Sequence, residues 1–271
     1  MQLNHPKIPP LPNGFVLRNS PEPRQGATTF RFEKLSQYEE LCHEVFTRHG
    51  GGSGPPHDSL NVGHGTGDTP ENVQINLQII KGILGTQNLR SMNQLHGKDI
   101  TLLRKAKPAT SPGTISGDAI ISDLYNVGVM VKSADCQAII LFDPFKKVIS
   151  NIHCGWRGNT LNIVADVVSR MVSDFQCKPS HILAAIGPSL GPCCSEFITY
   201  REIFPRNFDR FMVRKNYFDL WRISRWQLLE AGLKKENIEI AGICTRCRTD
   251  LFYSYRAEGT TGRFATVVML K

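Results

Sequence analysis

No stretch of this chain approaches the ~18 consecutive apolar residues that a membrane-crossing helix needs, so no spanning segment is expected. The opening MQLNHPKIPPLPNG is punctuated by proline and lacks the apolar core of a secretory leader, which points to the cytoplasm. Neither a Gly-Lys-Ser phosphate loop nor a Gly-x-Gly-x-x-Gly turn is present, so the usual nucleotide-binding signatures are missing. None of the eight histidines stands in a His-x-His pair, the arrangement that multicopper centres use repeatedly. A nucleic-acid-binding motif is lacking too, and a net charge of +8 over 271 residues is moderate, so small anions are expected as partners and DNA or RNA is not. With no internal repeat and no dividing linker, residues 1–271 read as one domain, with residues 1–26 as an N-terminal arm.

What the chain does contain is ordinary globular composition, 41% hydrophobic and 21% charged, enough for a sizeable core. Tyr38, Leu41, Val45 and Phe46 recur at helical spacing, predicting a helix over 37–49. Asp68-Thr69-Pro70-Glu71 is a capped helix start, and Gly85 stops the helix. Further helices are predicted over 159–175 and 219–231. Apolar, β-rich runs at 119–122, 127–131, 138–142, 148–152, 182–186, 238–243 and 264–270 predict strands. Hairpin-like pairs dominate the middle without strict βαβ alternation. The expected fold class is therefore α/β, a mixed-sheet layered sandwich with helices outside.

Three side chains carry the chemistry. His96 sits in Gln94-Leu95-His96-Gly97, Cys136 in Ala134-Asp135-Cys136, and His153 in His153-Cys154-Gly155-Trp156-Arg157-Gly158; the gaps are 40 residues (96 to 136) and 17 residues (136 to 153). Two imidazoles and a thiolate make three ligands, and three protein ligands with a free fourth position distinguish catalytic from structural zinc. Each also has a plain structural reading, a turn imidazole or a core thiol. Glycines around Trp156-Arg157, followed by a helix start, let the backbone approach a ligand, and Arg157 either forks onto an anion or forms a structural ion pair. Trp156 either faces a base or joins the core. Asp135 orients a histidine, acts on a substrate hydroxyl, or merely caps a strand. Asn61, before the Val62-Gly63 turn, is a candidate substrate contact. The basic stretch 201–226 is a candidate anion attractor or a solvated face. The glycine-rich segment 48–57 reads as a surface loop.

Cys193-Cys194 and Cys244-Thr-Arg-Cys247 together contain four thiols. Adjacent cysteines are awkward tetrahedral co-ligands, so free thiols are the stronger expectation and a four-cysteine zinc site the weaker one.

The segment GDAIISDLYNVGVMVKSADCQAIILFDPFKKVISNIHCGWRG, with NQLHG upstream and IGPSLGPCCSEF and CTRCRTDLFYSYRAEGTTGRFATVVML downstream, resembles the YfiH/laccase-domain family over about residues 59 to 271. Members of that family were long labelled polyphenol oxidases and are now regarded as zinc-dependent purine nucleoside phosphorylases. The resemblance implies a single YfiH-like domain akin to the cytotoxic necrotizing factor fold, with zinc on His96, Cys136 and His153. It implies nucleoside and phosphate as small-molecule partners, adenosine, inosine and methylthioadenosine as substrates, and adenosine deamination as a side activity. Arg263, in Thr261-Gly262-Arg263, matches a further motif and becomes a second candidate anion contact. Two departures stand out. Cys154 replaces the usual Ala, and Arg248 replaces an acid in Thr-Arg-Cys-Arg-Thr-Asp, which points to an altered substrate preference. The alternatives are a copper-dependent polyphenol oxidase, since copper competes for such N/S sites in vitro, a hydrolase with Cys136 as nucleophile and His153 as base, and a non-enzymatic binding module.

Overall fold

A computed structural model describes residues 15–19, 26–104 and 115–271, with side chains from residue 26 onward. In chain order its strands are β1 (Phe15–Asn19), β2 (Thr28–Phe32), β3 (Leu41–Phe46), β4 (Leu89–Asn93), β5 (Ile100–Leu103), β6 (Ile115–Ser116), β7 (Ala119–Ser122) and β8 (Gly128–Ser133). They continue as β9 (Gln137–Asp143), β10 (Val148–Cys154), β11 (Leu183–Ile186), β12 (Met212–Arg214), β13 (Tyr217–Phe218), β14 (Ile238–Ile240) and β15 (Phe264–Leu270). The α-helices are α1 (Pro70–Leu84), α2 (Trp156–Leu161), α3 (Ile163–Phe175), α4 (Tyr200–Ile203), α5 (Leu220–Glu230) and α6 (Tyr255–Glu258). One sheet runs β1-β2-β3-β15-β8-β4-β6, the other β14-β11-β9-β10-β7-β5, and β12-β13 is a separate ribbon.

Side-chain alternation sorts these strands into layers. Val129 and Val131 of β8 face Ile140 and Phe142 of β9 across the sheets, whereas Met130 points outward to Ile80 and Leu84 of α1. Ile139 and Leu141 point the other way, onto Val164, Val168 and Met171 of α3 and Leu228 of α5. The result is the expected α/β layered sandwich, two mixed sheets face to face with helices on both outer faces. Asn151 of β10 ties the sheets together by donating to the Val129 and Thr266 carbonyls, at 3.0 and 2.9 Å.

α1 begins and ends as its residues dictate. Thr69 accepts the Asn72 N–H, and Gly85 closes the helix at φ +69°. Three expectations are corrected. Residues 41–46 form β3, not a helix: both faces are buried, Leu41 and Val45 inward and Cys42 and Phe46 under α1, so the apolar run carries no usable period. The helix expected over 159–175 starts at Trp156 and breaks at Asn162, which takes the left-handed conformation at φ +56°. The final strand before residue 243 stops at Ile240. Of the N-terminal arm, residues 15–19 are an edge strand antiparallel to β2, and the rest of residues 1–25 lies outside the described residues. Among the described residues, no helix is long and apolar enough to cross a membrane.

Candidate metal centre

The three expected ligands meet because the chain changes sheets at one end of the sandwich. His96 lies in the β4-to-β5 crossing and Cys136 in the β8-to-β9 crossing, and both connections pass from the first sheet to the second. The β9–β10 register pairs Ala138 with His153, which brings His153 beside Cys136. The ligand atoms of His96, Cys136 and His153 all lie within 4.8 Å of one another. A tetrahedral zinc needs ligand–ligand edges of roughly 3.3–3.8 Å, so the cluster fits such an ion after small side-chain adjustments.

One carboxylate that the sequence reading missed organises the cluster. Asp118 is fully buried just before β7, and its Oδ1 lies 2.8 Å from His153 Nδ1. It also accepts the backbone N–H groups of His96 and Gly97, at 3.0 and 2.7 Å, and so clamps the first ligand's turn and the third ligand's ring together. Burial opposes its charge, but the His153 bond and the two N–H donors outweigh that and hold its carboxyl below the usual range. With Nδ1 engaged, the His153 Nε2 edge is left for the metal. Gln94 fixes the same turn by bonding both backbone groups of Lys132. Gly155 is the close-approach residue: a Cβ there would sit 2.9 Å from Cys136 Sγ and 3.4 Å from His96 Nδ1.

Burial raises the Cys136 thiol, yet the His153 charge and hydrogen bonds from His153 and His96 pull it down to about 6. Burial likewise opposes protonation of His153, while Cys136 and Asp118 raise it to about 9. Ready ionisation of the thiol is what metal binding requires.

The cluster opens into a cavity of about 680 Å³. His64, Lys132, Arg157, Arg256 and Arg263 bring positive or protonatable groups to its lining; among the described residues Asp135 is the one carboxylate there. Trp156, Phe197 and Tyr255 supply aromatic surface. The volume and lining suit a small polar ligand with an anionic part.

Comparison with known proteins identifies the family. The family described as multi-copper polyphenol oxidoreductase laccase matches residues 42–271. The chain belongs to this YfiH/laccase-domain family. It is 32% identical to the purine nucleoside phosphorylase YfiH of Shigella flexneri, over 83% of this chain and 91% of that one. It is 29% identical to the purine nucleoside phosphorylase YlmD of Bacillus subtilis, over 86% and 90%. Its fold matches the crystal structure of YlmD from Geobacillus stearothermophilus with a TM-score of 0.82 at 28% identity, covering 92% of this chain and 97% of that one.

Within this YfiH/laccase-domain chain the remaining candidates separate clearly. Arg157 is exposed on α2, stacks 4.8 Å over the Trp156 ring and lines the cavity. No ion pair to it occurs among the described residues. Trp156 packs against Phe197 and Phe204 and also lines the cavity. Arg263 also lines the cavity, with Nη1 held by the Thr261 and Gly262 carbonyls at 2.9 and 2.8 Å.

Asp135 and Asn61 both hold loops around the site. The carboxylate that meets His153 is Asp118; Asp135 instead accepts from the Thr245 and Ser254 hydroxyls and the Arg256 N–H, fastening two loops behind the ligand. Asn61 is fully buried and absent from the cavity lining. Its amide holds Asp68, Thr66, Gly63 and the Arg263 N–H, so it shapes the Gly63–Thr66 wall from behind. That wall, with exposed His64, carries no motif that the sequence reading singled out, and residues 48–57, expected to be a surface loop, do not line the cavity. Arg248 is spent on a two-pronged bond to Asp250 and does not line the cavity either, so its departure from the family pattern reaches no substrate there. In the 201–226 stretch, Arg210, Arg214 and Arg222 lie over the rings of Trp226, Tyr217 and Phe211, and none of its basic residues lines the cavity. Cys154 points to the helix side of β10, its thiol raised by burial.

Proposed function

We propose that the chain is a zinc-dependent purine nucleoside phosphorylase acting on adenosine, inosine and methylthioadenosine. Phosphate attacks C1′, the bond from C1′ to the purine nitrogen breaks, and free base leaves alongside a pentose 1-phosphate. The single observation that supports this reading is a three-donor cluster opening on a cavity of mainly cationic charge. Zinc held by His96, Cys136 and His153 would supply a Lewis acid that polarises an oxygen beside it. Copper competes for the same N and S donors in vitro.

The chain's own residues do the positioning. Arg157 presents a guanidinium with no ion-pair partner among the described residues, suited to forked contacts with phosphate oxygens, and Arg263 adds positive charge from the opposite loop. Trp156 and Tyr255 offer rings to the flat base. Asp118 keeps His153 in one tautomer and orientation. Holding phosphate and nucleoside together supplies the proximity such a reaction depends on.

Purified protein given inosine and phosphate should release hypoxanthine and lose that activity on chelation. If no base appeared with adenosine, inosine or methylthioadenosine, the reading would be rejected. Adenosine without phosphate tests the deaminase side activity through ammonia release. A second reading rests on the line Cys136–His153–Asp118, which also suits a metal-free cysteine hydrolase. The hydrolase would keep its activity after chelation. Stoichiometric copper in protein produced without added copper would favour the polyphenol oxidase instead.

A further inference from the structure

The other cysteines are not scattered as unconnected thiols would be. Cys193, Cys194, Cys244 and Cys247 converge so that all four sulfurs lie within 4.8 Å of one another. Cys247 Sγ is 3.6 Å from Cys193 Sγ and 3.5 Å from Cys194 Sγ. Four sulfurs at ~2.3 Å from a central zinc would be separated by about 3.8 Å. A disulfide needs about 2.05 Å. We propose that these four cysteines form a second, closed zinc site, structural rather than catalytic, which staples the loop after β11 to the loop after β14.

The surroundings support a bound ion carrying excess negative charge. A divalent zinc with four thiolates is a dianion, and three arginines lie beside the loops that carry the cysteines. Arg246 reaches the Cys194 sulfur, Arg214 donates to the Cys193 carbonyl at 3.0 Å, and Arg256 donates to the Cys194 carbonyl at 3.5 Å. The Gly191 N–H donates to Cys244 Sγ at 3.3 Å, as backbone amides do around thiolate ligands. Gly191 itself is required: a Cβ there would lie 2.9 Å from Cys244 Cβ and 2.8 Å from the Trp221 ring. No acidic residue among the described ones pairs with these arginines to explain their convergence. An all-thiolate tetrahedral set selects zinc over harder cations.

The staple also has a place in the architecture. Ser189 receives the Thr245 N–H at its carbonyl and donates its own N–H to the Ile243 carbonyl, so the two loops already touch. Leu190 donates to the Asp135 carbonyl, and Thr245 donates its hydroxyl to the Asp135 carboxylate. Leu190, Phe197 and Arg256 then line the cavity. A metal in the thiol cluster therefore holds one cavity wall against the residue that precedes Cys136. This inference does not depend on the reaction assigned to the cavity.

Metal counting on the intact protein tests it. Native mass spectrometry should find two zinc ions per chain in the wild type, one in Cys136→Ala, and one in Cys247→Ser. X-ray absorption at the zinc edge of Cys136→Ala should report four sulfur neighbours and no imidazole. That measurement does not need Cys247→Ser to fold. A wild type with one zinc, absent altogether from Cys136→Ala, would overturn the proposal. So would a mass deficit of two hydrogens mapped to a disulfide at Cys247 in protein purified under thiol-protecting conditions.

Discussion

The two sulfur-bearing clusters sit on either side of Asp135, and they are built on opposite plans. His96, Cys136 and His153 come from three separate places, two sheet-to-sheet crossings and a strand end, and share a single buried carboxylate, Asp118. Their open side is a cavity. The four cysteines come from only two loops, with the Gly191 N–H on the Cys244 sulfur and arginines beside them, and none of them lines that cavity. The first plan leaves room for a substrate and the second consumes its ion's whole coordination, so the two clusters should respond very differently to mutation.

The largest expected effect is from Cys136→Ala. Two imidazoles remain, too few for tight zinc, so metal at this site and turnover should fall together by more than about a hundredfold. The sheets should persist, because Cys136 lies in a connection and not in either core. Metal analysis, steady-state rates and circular dichroism check this. Full activity with no metal would favour the hydrolase reading only if Cys136→Ala abolished it; full activity in Cys136→Ala itself would dismiss both.

Asp118→Asn should come next. It keeps the shape of the side chain but removes the charge that fixes His153, and such outer partners typically carry ~10–100-fold in metal affinity. Competition with a chromophoric chelator reads that loss, and the thiol cluster's zinc should be unaffected. A variant that lost both ions equally would mean the two clusters are one cooperative unit.

Asp118 also shows where the sequence stops being readable. His96, Cys136 and His153 were legible because each lies in a distinctive local motif, and the outer layers were legible from periodicity. Asp118 becomes a partner of His153 only through strand register, Ala119 opposite Ile152, and no local pattern records that pairing. The same limit left the four-thiol site the weaker of two expectations, because its two halves are 50 residues apart (244 − 194, Cys194 to Cys244) and meet only through a hydrogen-bonded loop pair. β3 failed for another reason. A strand covered on both faces has no polar phase, and a helical spacing can be found in it by accident.

Arg157→Ala should be smaller and confined to one cluster's substrate. A charge-assisted contact to phosphate contributes ~1.5–3 kcal/mol, so KM for phosphate should rise by roughly ten- to a hundredfold. Zinc content should stay unchanged, because Arg157 belongs to the cavity and not to the metal. Unchanged phosphate dependence would transfer the anion to Arg263 or Lys132.

The smallest effect should come from Cys154→Ala, and it is the sharpest check on which sulfur belongs to the centre. Cys154 is the immediate neighbour of His153 and follows it in the very motif that supplies the third ligand, so on proximity alone it rivals Cys136. Strand alternation decides against it. His153 points toward the metal cluster, and the Cys154 side chain points to the opposite face of β10, fully buried among Ile163, Val164 and Val167. A Cβ on Gly158 would lie 3.3 Å from its sulfur, so the thiol is closely packed by α2. Replacing the thiol by hydrogen removes one buried sulfur and leaves a small cavity, costing about 1 kcal/mol. For a chain of this size that lowers the melting midpoint by ~2–4 °C. Zinc stoichiometry and kcat should match the wild type, and a loss of the centre's zinc would mean that β10 turns its other face to the metal.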